Sequence, residues 1–286
     1  MMTFLEYVAQ DLLKKYGTDM SDVAVVFPNK RASLFLNQAL ARMAGHPLWS
    51  PAYVTISDFF RQHSGLTVAD PIKSICDLYK TYVEVTGNVG ETLDQFYGWG
   101  QLLLADFDDI DKNLADARLI FSNISNLREL DDISYLNDEQ KAELHRFFAN
   151  FDDKPEGIRE RFITLWDRLN DIYNRFREKL RSQELAYEGM LYRDVAEQAD
   201  IQTRYQHYAF VGFNVLQKVE QRVFKRFKEE EKADFYWDYD RYYMGRTNEA
   251  GNYIRQWLDR FPNSLPNNND ELYDNLGKEK EISFVS

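Results

Sequence analysis

The stretch Val23-Ala24-Val25-Val26-Phe27-Pro28-Asn29-Lys30-Arg31 decides the fold class. A short continuous apolar run bounded by polar residues reads as a strand buried on both faces. Pro28 to Arg31 form a turn, and from Asn29 to Ala41 the apolar residues Ala32, Leu34, Leu36 and Leu40 share one helical face. Strand, short polar turn and helix in that order is the repeating unit of an α/β layer. Upstream, Leu5, Val8, Leu12 and Leu13 recur at helical spacing within Thr3 to Tyr16, and Gly17 ends the pattern. Downstream, Ala52 to Ile56 is a second strand running into Ser57, which is expected to cap a helix beginning Asp58-Phe59-Phe60-Arg61.

The strand signal returns only at His207-Tyr208-Ala209-Phe210-Val211, stops at Gly212, and is followed by a helix lined by Leu216, Val219, Val223 and Phe227. Ala233 to Trp237 is the next strand. Between these two α/β stretches, Pro71 to about Ala199 shows the helical period almost throughout. Its clearest element follows Pro155, where Ile158, Phe162, Leu165, Leu169, Ile172, Phe176 and Leu180 make one apolar stripe. The predicted architecture is a discontinuous α/β domain over 1–70 and 205–261 with an all-helical insertion over 71–204. Phe261 to Asp270 reads as a linker from its Pro and Asn content, and Ile282-Ser283-Phe284-Val285 as the start of a further strand. Residues 262–286 are therefore expected to be a linker and the start of a following domain, and the chain an N-terminal piece of a longer protein.

Composition narrows the function classes. The 286 residues are 44% hydrophobic and 29% charged, which is globular rather than disordered. The net charge of −12 repels polyanions, so nucleic-acid contact needs a local basic or aromatic patch. The single cysteine, Cys76, excludes an intrachain disulfide or a Cys-rich zinc site and points to a reducing compartment, with the cytoplasm expected. The first helix carries Glu6 and Asp11 among its apolar positions and does not resemble a secretory signal. No apolar run approaches the roughly 20 residues that cross a bilayer, so no membrane partner is expected.

Few catalytic patterns fit. No segment matches the phosphate loop G-x-x-x-x-G-K-[ST] or the nucleophile elbow G-x-S-x-G. His46, His63, His145 and His207 lack metal-ligand spacing. In the acidic run Asp106 to Asn113, an EF-hand counted from Asp109 would place its turn glycine at Leu114 and its bidentate Glu at Ile120, so the run is expected to be a solvated helix end. Glu230-Glu231-Lys232 matches the E-x-K of restriction-type nucleases only at a charged helix end. Two segments remain open. Pro28 to Arg31 is either a charged surface turn or a place where backbone N–H groups and two cations receive a phosphate. Thr55-Ile56-Ser57-Asp58-Phe59-Phe60 is either a capped helix with core aromatics or a set of hydroxyls and a ring facing nucleic acid. Neither metal nor cofactor is expected.

Taken together, Val25 to Ala32 and Val54 to Phe59 resemble the second and third conserved segments of UvrD-like superfamily 1 helicases. Phe210-Val211-Gly212-Phe213-Asn214-Val215-Leu216 with Glu220 resembles the D-G-F segment of AddB-type subunits of bacterial helicase-nucleases, as does Tyr187-Glu188-Gly189-Met190-Leu191-Tyr192-Arg193 their preceding region. The resemblance implies a degenerate P-loop-helicase-like (RecA-like) parallel sheet with a large helical insertion. It also implies a DNA-facing set of Asn29, Lys30, Arg31, Thr55, Ser57, Phe59, Phe60 and Arg61. No Walker A loop precedes the Val23 strand, and the strand that would carry the Mg²⁺-binding acid ends in Val211-Gly212, so nucleotide hydrolysis is not expected. The implied role is noncatalytic: a path for single-stranded or unwinding DNA and a scaffold for an AddA-type helicase-nuclease subunit in a heterodimer that resects double-strand breaks. The exonuclease domain of the PD-(D/E)XK type that many such proteins carry would lie outside this chain. A pure protein-interaction scaffold without DNA binding is the alternative.

Overall fold

The computed structural model describes residues 2–88, 90–124 and 155–276. In chain order these form α1 (Phe4–Tyr16), β1 (Val23–Phe27), α2 (Arg31–Ala44), β2 (Ala52–Thr55), α3 (Ile56–Gln62), β3 (Thr67–Val68), α4 (Pro71–Thr86), α5 (Leu93–Lys112), α6 (Ala117–Ile124), α7 (Pro155–Arg181), β4 (Leu185–Ala186), α8 (Glu188–Glu197), β5 (His207–Val211), α9 (Lys218–Glu229), β6 (Ala233–Tyr236), α10 (Asn252–Arg260) and α11 (Asp270–Tyr273). The described residues divide into two compact units, one made of those up to 63 together with those from 198 onward, the other of those within 64–197.

The first unit is built on a four-stranded sheet in the order β2-β1-β5-β6, every neighbouring pair parallel. Val26 of β1 stands opposite Val54 of β2 on one side and Phe210 of β5 on the other, and all five β1 residues are buried. That is why the run reads as continuously apolar instead of alternating. Alternate residues still serve opposite faces. Val25, Phe27, Ala209, Val211 and Tyr236 join Val8 and Leu12 of α1 and Leu36 and Leu40 of α2 in one core. On the opposite face Tyr208, Phe210 and Phe235 meet the rings of Phe59, Phe224 and Phe227. Each fully buried ring of this kind contributes about 1.5–3 kcal/mol relative to exposure, before packing losses are considered.

Three sequence expectations need correction. Residues 262–276 are not a linker: Asn263 bridges to Phe235, Ser264 N–H donates to the Phe235 carbonyl at 2.7 Å, and Leu265, Leu272 and Tyr273 are buried in the α1/α2 core. Their Pro and Asn count reflects tight turns between anchors, with Asn269 capping α11 through the N–H groups of Glu271 and Leu272. The cap of α3 is Thr55 rather than Ser57, because the helix starts one residue after the strand ends. The helical unit contains strand as well: Thr67–Val68 pairs in parallel with Leu185–Ala186. The junctions accordingly fall at 63/64 and 197/198, against 70/71 and 204/205 from sequence. The strand expected over Ile282 to Val285 lies outside the described residues.

In the second unit α4 begins at a strong cap, Asp70 accepting from the N–H groups of Ile72 and Lys73 with Pro71 at the first helical position. Leu78, Phe96, Phe107, Leu169, Ile172, Phe176, Leu180 and Leu191 make its core. Leu169 to Leu180 is the expected stripe of α7; the side chains of Ile158, Phe162 and Leu165 lie outside the described ones. Gly189 opens α8 hard against α5, where a Cβ would fall well inside contact distance of the Asp108 carbonyl oxygen.

Candidate functional site

The sheet order locates a topological switch point before any residue is considered. From β1 the chain crosses through α2 to β2 on one side, whereas from β5 it crosses through α9 to β6 on the other. The connections therefore diverge between β1 and β5, and in open parallel sheets ligands bind outside the carboxyl ends of the strands at such a switch point. Here the segments that leave the switch point are Pro28–Arg31 after β1 and Gly212–Val215 after β5. Gly212 turns the chain away with φ of 72°, a left-handed conformation that suits glycine.

The β1–α2 turn is held from within. Asn29 Oδ1 accepts the Arg31 N–H at 3.1 Å, and Ser33 Oγ donates to the Lys30 carbonyl at 2.7 Å. Asn29, Lys30 and Arg31 are exposed, and Lys30 supplies no side-chain cap to α2. The turn thus presents an amide and two cations.

The neighbouring β2–α3 turn leaves the sheet beside it, since Phe27 stands opposite Thr55. Thr55 Oγ1 accepts the Asp58 N–H at 3.1 Å and donates to Asp58 Oδ2 at 2.7 Å. That hydrogen bond, aided by the charge of Lys30 and opposed by partial desolvation, holds the Asp58 carboxyl below the usual carboxylate range. Lys30 Nζ lies 3.7 Å from the same oxygen, with its side chain 83% exposed. Screening by solvent makes such a pair weak.

The structure therefore brings Lys30, Thr55 and Asp58 together, and it separates the aromatics from them. Phe59 and Phe60 are buried at 1% and 0% exposure. Phe59 packs edge-on against Phe60, Tyr208 and Phe227 and lies 4.4 Å, centroid to centroid, from the His63 ring. Both rings belong to the core, so Phe59 and Phe60 do not face nucleic acid, contrary to what the resemblance implies. Ser57 is half-buried, and Arg61 is exposed and engaged within the fold. Asp58 was overlooked in the sequence, although T-x-x-D at a strand-to-helix junction is a capping signature.

The remaining acidic segments are structural. In Asp106 to Asn113, Asp108 pairs with Lys112 at 2.7 Å and takes the Gly189 N–H, while Asp111 is completely buried, so the run is not simply a solvated helix end. Glu230 pairs with Lys232 at 2.8 Å past the end of α9. Among the described residues no group of three His, Cys, Asp or Glu side chains is placed to hold a metal ion, and no helix is long and apolar enough to cross a membrane. At the carboxyl end of the sheet the adjacent turns present two exposed cations and an amide, able to receive phosphate oxygens, beside the Asp58 carboxylate. No protein-family model matches the chain, and no curated protein matches it in sequence.

Proposed function

We propose that the first unit is an inactivated, RecA-like helicase domain whose sheet edge guides single-stranded DNA. In this reading the chain is a noncatalytic region of an AddB-type subunit, working with an AddA-type ATPase partner in double-strand-break resection. One observation carries the reading. The two segments that resemble those of helicases lie on adjacent parallel strands and end at the same edge, with Phe27 opposite Thr55 and Lys30 within 3.7 Å of Asp58.

The DNA-facing set is then Asn29, Lys30, Arg31, Ser57 and Arg61, with Thr55 and Asp58 fixing the second turn. These are contacts to phosphate, which position a strand without reading its sequence. No phosphate loop and no acid after β5 support nucleotide chemistry, so the unit contributes binding and leaves catalysis to its partner. Replacing both Lys30 and Arg31 by Glu tests this in a fluorescence anisotropy titration. The expected outcome is a loss of single-strand affinity of about tenfold or more together with a shallower salt dependence. Unchanged affinity would remove the sheet edge from the account.

A second reading, a protein-docking scaffold, is favoured by Leu34 and Phe35. They follow the same turn on α2 and are 72% and 57% exposed. On that reading the double charge reversal leaves DNA binding unchanged, while Leu34→Ser with Phe35→Ser abolishes association with the partner subunit.

A further inference from the structure

A cavity of about 410 Å³ lies within the helical unit, lined by Arg118, Asn170, Tyr173, Asn174, Arg177 and Arg193 among others. Its wall is fixed by the buried carboxylate of Asp111. That group accepts the hydroxyl protons of Tyr173 and Tyr187 and lies 3.3 Å from Arg193 Nη1 and 3.5 Å from Arg177 Nε. Arg193 also donates to the Ala115 carbonyl at 2.9 Å and to Glu197 at 3.0 Å, and Arg177 Nη1 donates to the Tyr173 hydroxyl at 3.0 Å. Two guanidinium groups are thus held in place before any ligand arrives, which removes much of the ordering cost of binding.

Nearer solvent the cavity carries Arg118, Asn170 and Asn174, none of whose side chains makes a hydrogen bond or ion pair with a described residue. The acidic groups nearby are occupied. Asp111 accepts from Tyr173, Tyr187 and Arg193 and lies 3.5 Å from Arg177 Nε, Glu197 holds Arg193, and Asp116 accepts the Leu119 N–H at 3.2 Å. The cavity is therefore walled by donors in excess of acceptors.

We propose that this cavity binds the terminal phosphate group of a phosphate ester. Three guanidinium groups and two amides offer more N–H donors than the two oxygens of a carboxylate accept, whereas a phosphate monoester presents three charged oxygens and pairs well with planar guanidinium forks. The volume lies in the range of small-molecule sites and suffices for a nucleotide. The proposal is independent of the sheet edge, which belongs to the other unit.

Isothermal titration of the whole chain tests it, using inorganic phosphate, thymidine 5′-monophosphate, and an oligothymidylate of about eight nucleotides with and without a 5′-phosphate. Inorganic phosphate and the mononucleotide are expected to saturate one site. Arg118→Glu and, separately, Asn174→Asp are expected to weaken both by about tenfold or more. Both residues are exposed and hold no described partner, so thermal melting should be unaltered. Tighter binding of the 5′-phosphorylated oligonucleotide than of the mononucleotide assigns the phosphate to a strand end, and equal binding assigns it to a free nucleotide; either supports the site. No saturable phosphate binding, equal affinity in both variants, or loss of phosphate binding in the Lys30→Glu, Arg31→Glu chain would overturn it.

Discussion

Asp111 shows how much one side chain can decide. It lies in the middle of an acidic run on α5, yet it is fully buried, and its partners come from α7 and α8 and the segment before α8, between 62 and 82 residues away in sequence. Burial, together with the charge of Asp111, pushes the Tyr173 and Tyr187 hydroxyls well above their ordinary range, so both remain donors at any physiological pH. Replacing Asp111 by Ala would take the shared carboxylate from Arg177, Arg193, Tyr173 and Tyr187 and leave Arg193 only its ion pair with Glu197 among the described residues, at a cost of about 3–5 kcal/mol. Chemical denaturation would show it; a loss under about 1 kcal/mol would mean the network relaxes and holds little. Gly189→Ala acts on the same contact between α5 and α8 by overpacking against the Asp108 backbone. An expected loss of about 1–3 kcal/mol can be read from the melting temperature, and an unchanged melting temperature would show that the helices separate easily.

At the scale of elements, α1 is tied to β6 by a polar cluster as well as by its apolar face. Lys15 Nζ sits 2.9 Å from Asp11 and 2.7 Å from Asp234, Tyr16 donates to Asp234 at 2.7 Å, and Tyr236 donates to Asp11 at 2.7 Å. Burial raises the Asp234 carboxyl, but the hydrogen bonds and charge of Lys15 and the hydroxyl of Tyr16 outweigh it, and the net shift is downward. A carboxylate whose folded pKa lies below its unfolded value of about 3.9 contributes stability fully present above that value and lost as pH falls through the folded one. Asp234→Asn is expected to lower stability at neutral pH by roughly 1–3 kcal/mol and to flatten the fall in melting temperature below about pH 4. A parallel downward displacement at every pH would mean that Asp234 does not contribute through its ionisation.

The same scale shows what was legible in the sequence. Val23–Phe27 and His207–Val211 stand out because a strand covered on both faces must be apolar at every position, and the alternation of strand and helix around them gives the parallel layer. The two-residue strands Thr67–Val68 and Leu185–Ala186 carry no periodicity, and only their mutual pairing reveals them. Residues 262–276 misled because three apolar anchors among prolines and asparagines resemble a loop by composition. At the candidate site, Asn29 to Arg31 were visible as a cationic turn. That Phe59 points into the core and Lys30 toward Asp58 depends on where α3 begins, two residues before the start that a Ser57 cap implies. The phosphate cavity was not legible at all, because its donors come from α6, α7 and α8 and meet only through Asp111 and its neighbours.

For the whole molecule, the proposed role is binding without bond-breaking. With a net charge of −12 the mean field opposes DNA, so affinity has to come from a few local phosphate contacts and fall as salt rises. Nucleotide hydrolysis by the purified chain is expected to stay at background with ATP and Mg²⁺ present, with or without single-stranded DNA; turnover that survives purification would show that a nucleotide site has been overlooked. The central claim, a strand path along the carboxyl edge of the sheet, is tested most directly by photocrosslinking a single strand of about 20 nucleotides carrying halogenated uracils to the chain at low salt, then mapping the attached peptides. The account predicts crosslinks to the peptides containing Pro28–Arg31 and Ser57–Arg61, lost when Lys30 and Arg31 are both changed to Glu. Crosslinks absent from both peptides would contradict it.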